Sequence, residues 1–124
     1  MGNPTLNKNY TAETAVKKHR IVAFGSVSGA VIHADSATAK SIGVSMELDA
    51  DAGDRIDVTR TGMPEVEYGG TVAAGDLLTS DAQGRAIVAT ASAGANIRVV
   101  GIAECAGVVG DIGGMALGFG SLQG

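Results

Sequence analysis

Aromatic side chains are nearly missing. Of 124 residues only Tyr10, Phe24, Tyr68 and Phe119 are aromatic, and there is no tryptophan. Ring platforms for stacking unpaired bases are therefore absent, and sugar-binding proteins usually need such platforms too. Basic charge is scarce as well: no lysine follows Lys40, and the net charge is −4. What basic charge exists sits at the front, with +3 over residues 1–20 against −7 over the rest. An acidic body argues against nucleic-acid binding, which needs clustered Lys and Arg to displace counterions. A single cysteine, Cys105, excludes an internal disulfide. Within the apolar stretch 102–106 it is expected as a buried, inert thiol rather than a reactive one, and a lone thiol fits a reducing compartment. The first twenty residues lack the apolar core of a signal peptide. The most apolar stretch, residues 99–120, is broken by Glu104, Asp111 and seven glycines, so no membrane helix is expected.

Chemical motifs are missing too. His19 and His33 have no third ligand nearby to complete a zinc site. The nearest approach to a nucleophile elbow, Gly25-Ser26-Val27-Ser28-Gly29, has valine at its centre and reads as hairpin turn chemistry. No phosphate-binding loop or dinucleotide fingerprint is present. Asp49, Asp51 and Asp54 resemble the start of a calcium loop, with alternating oxygen ligands and a glycine bend at Gly53. The residue six past that glycine is Thr59 where such a loop needs Glu, so a solvated turn is the preferred reading and no metal is assigned. A phrase resembling biotinyl and lipoyl carriers begins at Thr71-Val72, but Ser45-Met46-Glu47-Leu48 has Glu where a modifiable lysine is required. Neither catalysis nor a cofactor is indicated.

What the chain has in abundance is glycine, nineteen residues of it, and small aliphatics. Slid along itself by 55 to 58 positions, it matches. The first copy reads Ile21-Val22-Ala23-Phe24, a turn at Gly29, Val31-Ile32, Ile42-Gly43-Val44, then Gly53-Asp54-Arg55-Ile56-Asp57-Val58. The second reads Leu77-Leu78-Thr79, a turn at Gly84, Ile87-Val88, Val100-Gly101-Ile102, then Gly110-Asp111 into Met115-Ala116-Leu117. A repeat this long is a statement about architecture. It predicts an all-β chain, a small β-barrel or sandwich built from two pseudo-repeated β-units, about 16–68 and 71–120, in one domain over 16–124.

Residues 1–15 are polar, contain Pro4 and show no period, which predicts an extended N-terminal arm that orders on contact. A strand is expected over 16–25 and one helical turn over 35–40. Strands are also expected over 42–48 and 55–60, with turns at 50–54, 71–76 and 81–84. Pro64 and two outward glutamates place 65–68 at a sheet edge, and 89–96 reads as a small-residue loop. With so few large side chains the core is thin, so a lone subunit should be marginal and gain from burial against other subunits or a larger partner.

One phrase carries a resemblance. Gly70-Thr71-Val72-Ala73-Ala74-Gly75-Asp76-Leu77-Leu78, then Asp81-Ala82-Gln83-Gly84-Arg85, then Val100-Gly101-Ile102-Ala103, resembles the small capsid cement (head decoration) proteins of tailed bacteriophages. The likeness covers roughly residues 16–120. It implies a compact β-barrel on the outer capsid surface, commonly a homotrimer, bridging major capsid protein subunits and stabilising the shell. It also implies synthesis in the bacterial host cytoplasm and no catalytic residues. The departure is the polar arm, which could add a strand to a neighbour's sheet edge. Candidate contacts to capsid or subunit are therefore Asn3, Leu6, Tyr10, Lys17, Lys18 and Arg20, with the cations facing acidic shell surface. The alternative is a small β-barrel binding module for host-surface glycans, which the shortage of aromatics disfavours.

Overall fold

The computed structural model describes residues 7–36, 39–46, 49–90 and 96–123, which form ten strands and no helix. The first five are β1 (Asn7–Ala12), β2 (Ile21–Phe24), β3 (Ala30–His33), β4 (Ser41–Ser45) and β5 (Arg55–Thr59), closed into a barrel in the order β1-β3-β2-β4-β5. The second five are β6 (Glu65–Glu67), β7 (Leu77–Ser80), β8 (Ala86–Val88), β9 (Asn96–Ala103) and β10 (Ile112–Gln123), a sheet ordered β6-β10-β9-β7-β8. Counted from its own first strand, each unit has the same neighbours except at the pairing of first and third strands. The fold is all-β, as the repeat predicts.

The units differ in how they close. β1 lies antiparallel on β5 and parallel on β3, pairing Thr11 with Ala30 and Ala12 with Val31, which seals the first barrel. At the corresponding seam the second unit has one isolated parallel bridge, Tyr68 to Ala86. Its sheet stays open, and the first unit fills the opening. Tyr10, Val22, Val31, Ile42 and Val58 pack inside the first barrel. Ile21, Ala23, Ala34 and Val44 point outward from that barrel and pack with Val66, Tyr68, Leu78, Val100 and Met115 of the second unit. This explains the unbroken apolar run Ile21-Val22-Ala23: both faces of β2 are buried, so alternation disappears. Each such aliphatic side chain contributes about 1.5–3 kcal/mol on burial.

The repeated glycine step has a steric cause. At Gly43 an added Cβ would run into the carbonyl oxygen of Thr59, and at Gly101 into that of Ala116. Both glycines let a neighbouring strand approach closely, β5 at Gly43 and β10 at Gly101.

Several expectations need correction. The arm does not extend to residue 15, because Asn7–Ala12 is a barrel strand that buries Tyr10 and Ala12. The units accordingly begin at β1 and β6. The strand expected over 16–25 shrinks to Ile21–Phe24, since His19 takes a left-handed φ of 56° and turns the chain. Val16 forms only an isolated bridge to Ala50. Asp35, Ser36, Ala39 and Lys40 are not helical, and residues 37–38 lie outside the described residues. So do 47–48, from the expected strand over 42–48, and 91–95, from the expected loop. Cys105 is exposed rather than buried, because it sits in the bend after β9. β6 does stand at the edge of its sheet.

Candidate functional site

The joint between the units is built around Arg20. Its backbone N–H donates to Ser45 Oγ (2.9 Å), and Ser45 Oγ donates to the Lys17 carbonyl (2.7 Å). The guanidinium, mostly buried, reaches into the second unit. Nη1 donates to the Gln83 carbonyl at 2.9 Å, and Nη2 pairs with Glu67 Oε1 at 3.3 Å. Backbone bonds frame it, Ile21 N–H to Gly84 O (2.7 Å) and Glu67 N–H to His19 O (2.9 Å). Ser80 Oγ adds a bond to Ala34 O at 3.2 Å. These bonds join two packed bodies in one arrangement, although the buried Arg20 Nε itself has no partner.

The predicted contact residues separate into three groups. Asn3 and Leu6 lie outside the described residues. Tyr10 and Arg20 are used internally: Tyr10 Oη accepts from Arg60 Nη1 at 3.0 Å, and Lys8 Nζ stands 5.6 Å from its ring centroid. Lys17 and Lys18 are exposed on the turn before β2. Their backbone amides are held, Lys17 N–H by His33 Nε2 (3.0 Å) and Lys18 N–H by Asp49 Oδ1 (2.8 Å), while their ammonium groups reach outward. Among the described candidates, Lys17 and Lys18 are the pair exposed at the surface.

The acidic loop is structural. Asp49 anchors Lys18, and Asp54 Oδ2 accepts the Asp51 N–H at 3.0 Å, closing its own turn. Among the described residues no three His, Cys, Asp or Glu gather as a metal set would. A hollow of about 480 Å³ lies beside this loop, bordered by Asn9, Arg55 and Asp57. Its polar walls satisfy one another, Arg55 bonding Thr11 and Asn9 bonding Asp57. Tyr68 is pushed up to about 12 by burial and then by its contact with the Cys105 side chain, so its phenol stays protonated near neutrality.

The sequence reading missed a set of exposed apolar side chains. Phe24 and Val27 stand at the β2–β3 turn, Leu77 and Ile102 on the outer wall of the second unit, and Val108, Val109 and Ile112 around the β9–β10 turn. The Val108-Val109 pair replaces Asp51-Ala52 of the first copy, and that departure from the repeat was the available signal.

Comparison with known proteins agrees with this architecture. The N base of the head fibre gp8.5 of bacteriophage phi29 superposes with a TM-score of 0.70, covering 93% of this chain and 95% of that one at 21% identity. Such a likeness establishes a shared fold. No curated protein matches the sequence closely. The family model described as phage cement protein matches residues 1–112, most of the chain up to the start of β10, and on that match the chain belongs to the phage cement protein family.

Proposed function

We propose that this protein decorates the outer surface of a phage capsid as a homotrimer and stabilises the shell by bridging major capsid protein subunits. Membership of the cement family makes it a structural protein of the phage virion. The observation that supports the finer reading is the distribution of side chains: two β-units are joined through Arg20, while apolar side chains stand out at turns and on one wall. Such a body offers contact surfaces. Lys17 and Lys18 face acidic shell surface, Asn3 and Leu6 are further contact candidates, and the Val108-Val109 turn supplies an apolar anchor. Individual contacts can be weak, since many copies on one particle act by avidity. Synthesis takes place in the host cytoplasm.

Co-sedimentation with shells lacking the protein tests this reading. Wild type should bind and raise the temperature at which shells rupture. Deleting residues 2–6, or changing Lys17→Glu and Lys18→Glu together, should lower occupancy at least tenfold. Undiminished binding removes those residues from the contact, and a wild-type chain that ignores shells ends the proposal.

A further inference from the structure

The strand pairs Ile21–Val44 and Leu77–Ile102 occupy the same place in the two units, each a register pair joining β2 to β4 or β7 to β9. Their environments are opposite. Ile21 and Val44 are 0% exposed, whereas Leu77 and Ile102 are 40% and 42% exposed.

What covers the first pair is on view. The second unit lies over it, and the β7–β8 turn is fastened there by the bonds from Ile21 N–H to Gly84 O and from Arg20 Nη1 to Gln83 O. The equivalent turn of the first unit, residues 26–29 between β2 and β3, is exposed throughout. It carries Val27, 65% exposed, with Phe24 beside it at 50%. Glu13 holds this turn in shape, its Oε1 accepting from Ser26 N–H (2.8 Å) and Ser26 Oγ (2.6 Å). A preformed turn loses little freedom on docking.

We propose that a second copy of this chain seats its Phe24–Val27 turn on the Leu77–Ile102 wall, repeating between chains the contact that joins the two units within one. The occupant follows from the repeat: the wall's twin is covered by a unit of this same kind, and each copy supplies the matching turn. The contact is head-to-tail, with wall and turn being different surfaces, so a closed ring is its finite form. The inference rests on the self-association proposed above and names its surface.

Sedimentation velocity on wild type, Leu77→Asp, Val27→Asp and the control Val109→Asp tests it, with thermal unfolding confirming that each variant folds. Wild type and the control should associate alike. Leu77→Asp and Val27→Asp should each weaken association more than tenfold. An equimolar mixture of those two should form one-to-one dimers, because one retains the turn and the other the wall. If both variants associate like wild type, this surface is wrong while trimerisation stands. A mixture that stays monomeric overturns the head-to-tail arrangement. A wild-type chain that is monomeric at every concentration overturns this inference and the trimer together, leaving shell binding to be judged by co-sedimentation.

Discussion

Arg20 stands in the first unit where Asp76 stands in the second, 56 positions later. At Asp76 the carboxylate closes its own turn, Oδ2 accepting the Ala73 N–H at 2.9 Å. Asp54 and Asp111 do the same for Asp51 and Val108, at 3.0 and 2.9 Å. Before Arg20 the equivalent amide, Lys17 N–H, donates to His33 Nε2 instead, and Ser45 Oγ bridges the Arg20 amide and the Lys17 carbonyl. That substitution leaves a long cation to cross into the second unit. The joint thus arises where one of four equivalent turns departs from the pattern.

Arg20→Ala should therefore loosen the joint. It leaves Glu67 and the Gln83 carbonyl without their partner at a largely buried site. Breaking a fully buried pair costs about 3–5 kcal/mol, but Glu67 is a quarter exposed, so solvent screening reduces the loss to about 2 kcal/mol. Urea unfolding measures it. A change below about 0.5 kcal/mol would mean that apolar packing alone holds the units.

The pattern of the repeat was legible because it is steric. Ile42-Gly43-Val44 and Val100-Gly101-Ile102 are repeated since both sites need a bare Cα, and the Gly-Asp turns recur since a carboxylate closes each one. β1 was not legible. Its first three residues, Asn7-Lys8-Asn9, look like a solvated tail, and its partner β5 lies far along the chain. Which apolar pairs stay exposed was hidden for another reason. Ile21–Val44 and Leu77–Ile102 are alike as sequence, and only the docking of one unit on the other separates them.

The steric reading predicts that Gly43→Ala and Gly101→Ala each destabilise by about 1–3 kcal/mol, the range for forcing extra atoms into a packed interior. Backbone carbonyls are the obstacle, so no side-chain rotation relieves it. Gly118→Ala, where nothing lies within 4 Å of the added carbon, should change stability by no more than about 0.5 kcal/mol. Equal effects at Gly43 and Gly118 would refute the close-approach explanation.

Acid should weaken the fold through His33. Burial, followed by Arg20 and Lys17, holds its imidazole below the ordinary value of 6.5, with Asp81 opposing. The neutral ring accepts the Lys17 N–H at Nε2, a bond that protonation there would remove. As pH falls below 6.5 the unfolded chain takes up a proton before the folded one does, so stability declines with falling pH. Between pH 7 and about 5.5 Glu13 does not interfere, because its bonds to Ser26 hold it below the usual carboxylate value. Wild type should show a lower Tm at the acid end. His33→Gln, which retains an acceptor and does not titrate, should show a flatter dependence over that window. Identical slopes would exclude His33 as the source.

The closing role of β1 is decided at Tyr10. Its ring fills the first barrel while its hydroxyl accepts from Arg60 at the rim. Were residues 7–12 a detachable arm, trimming this side chain would leave the barrel's stability untouched. As a barrel strand, Tyr10→Ala should cost about 3–5 kcal/mol, as for other large buried aromatics, enough to threaten a domain of ordinary marginal stability. Tyr10→Phe keeps the packing and loses one hydrogen bond, so about 1 kcal/mol is expected. Hydrogen exchange adds an independent readout: amides of β5 opposite β1 should lose protection in Tyr10→Ala and keep it in Tyr10→Phe. Stable, protected β5 amides in both variants would return these residues to the arm.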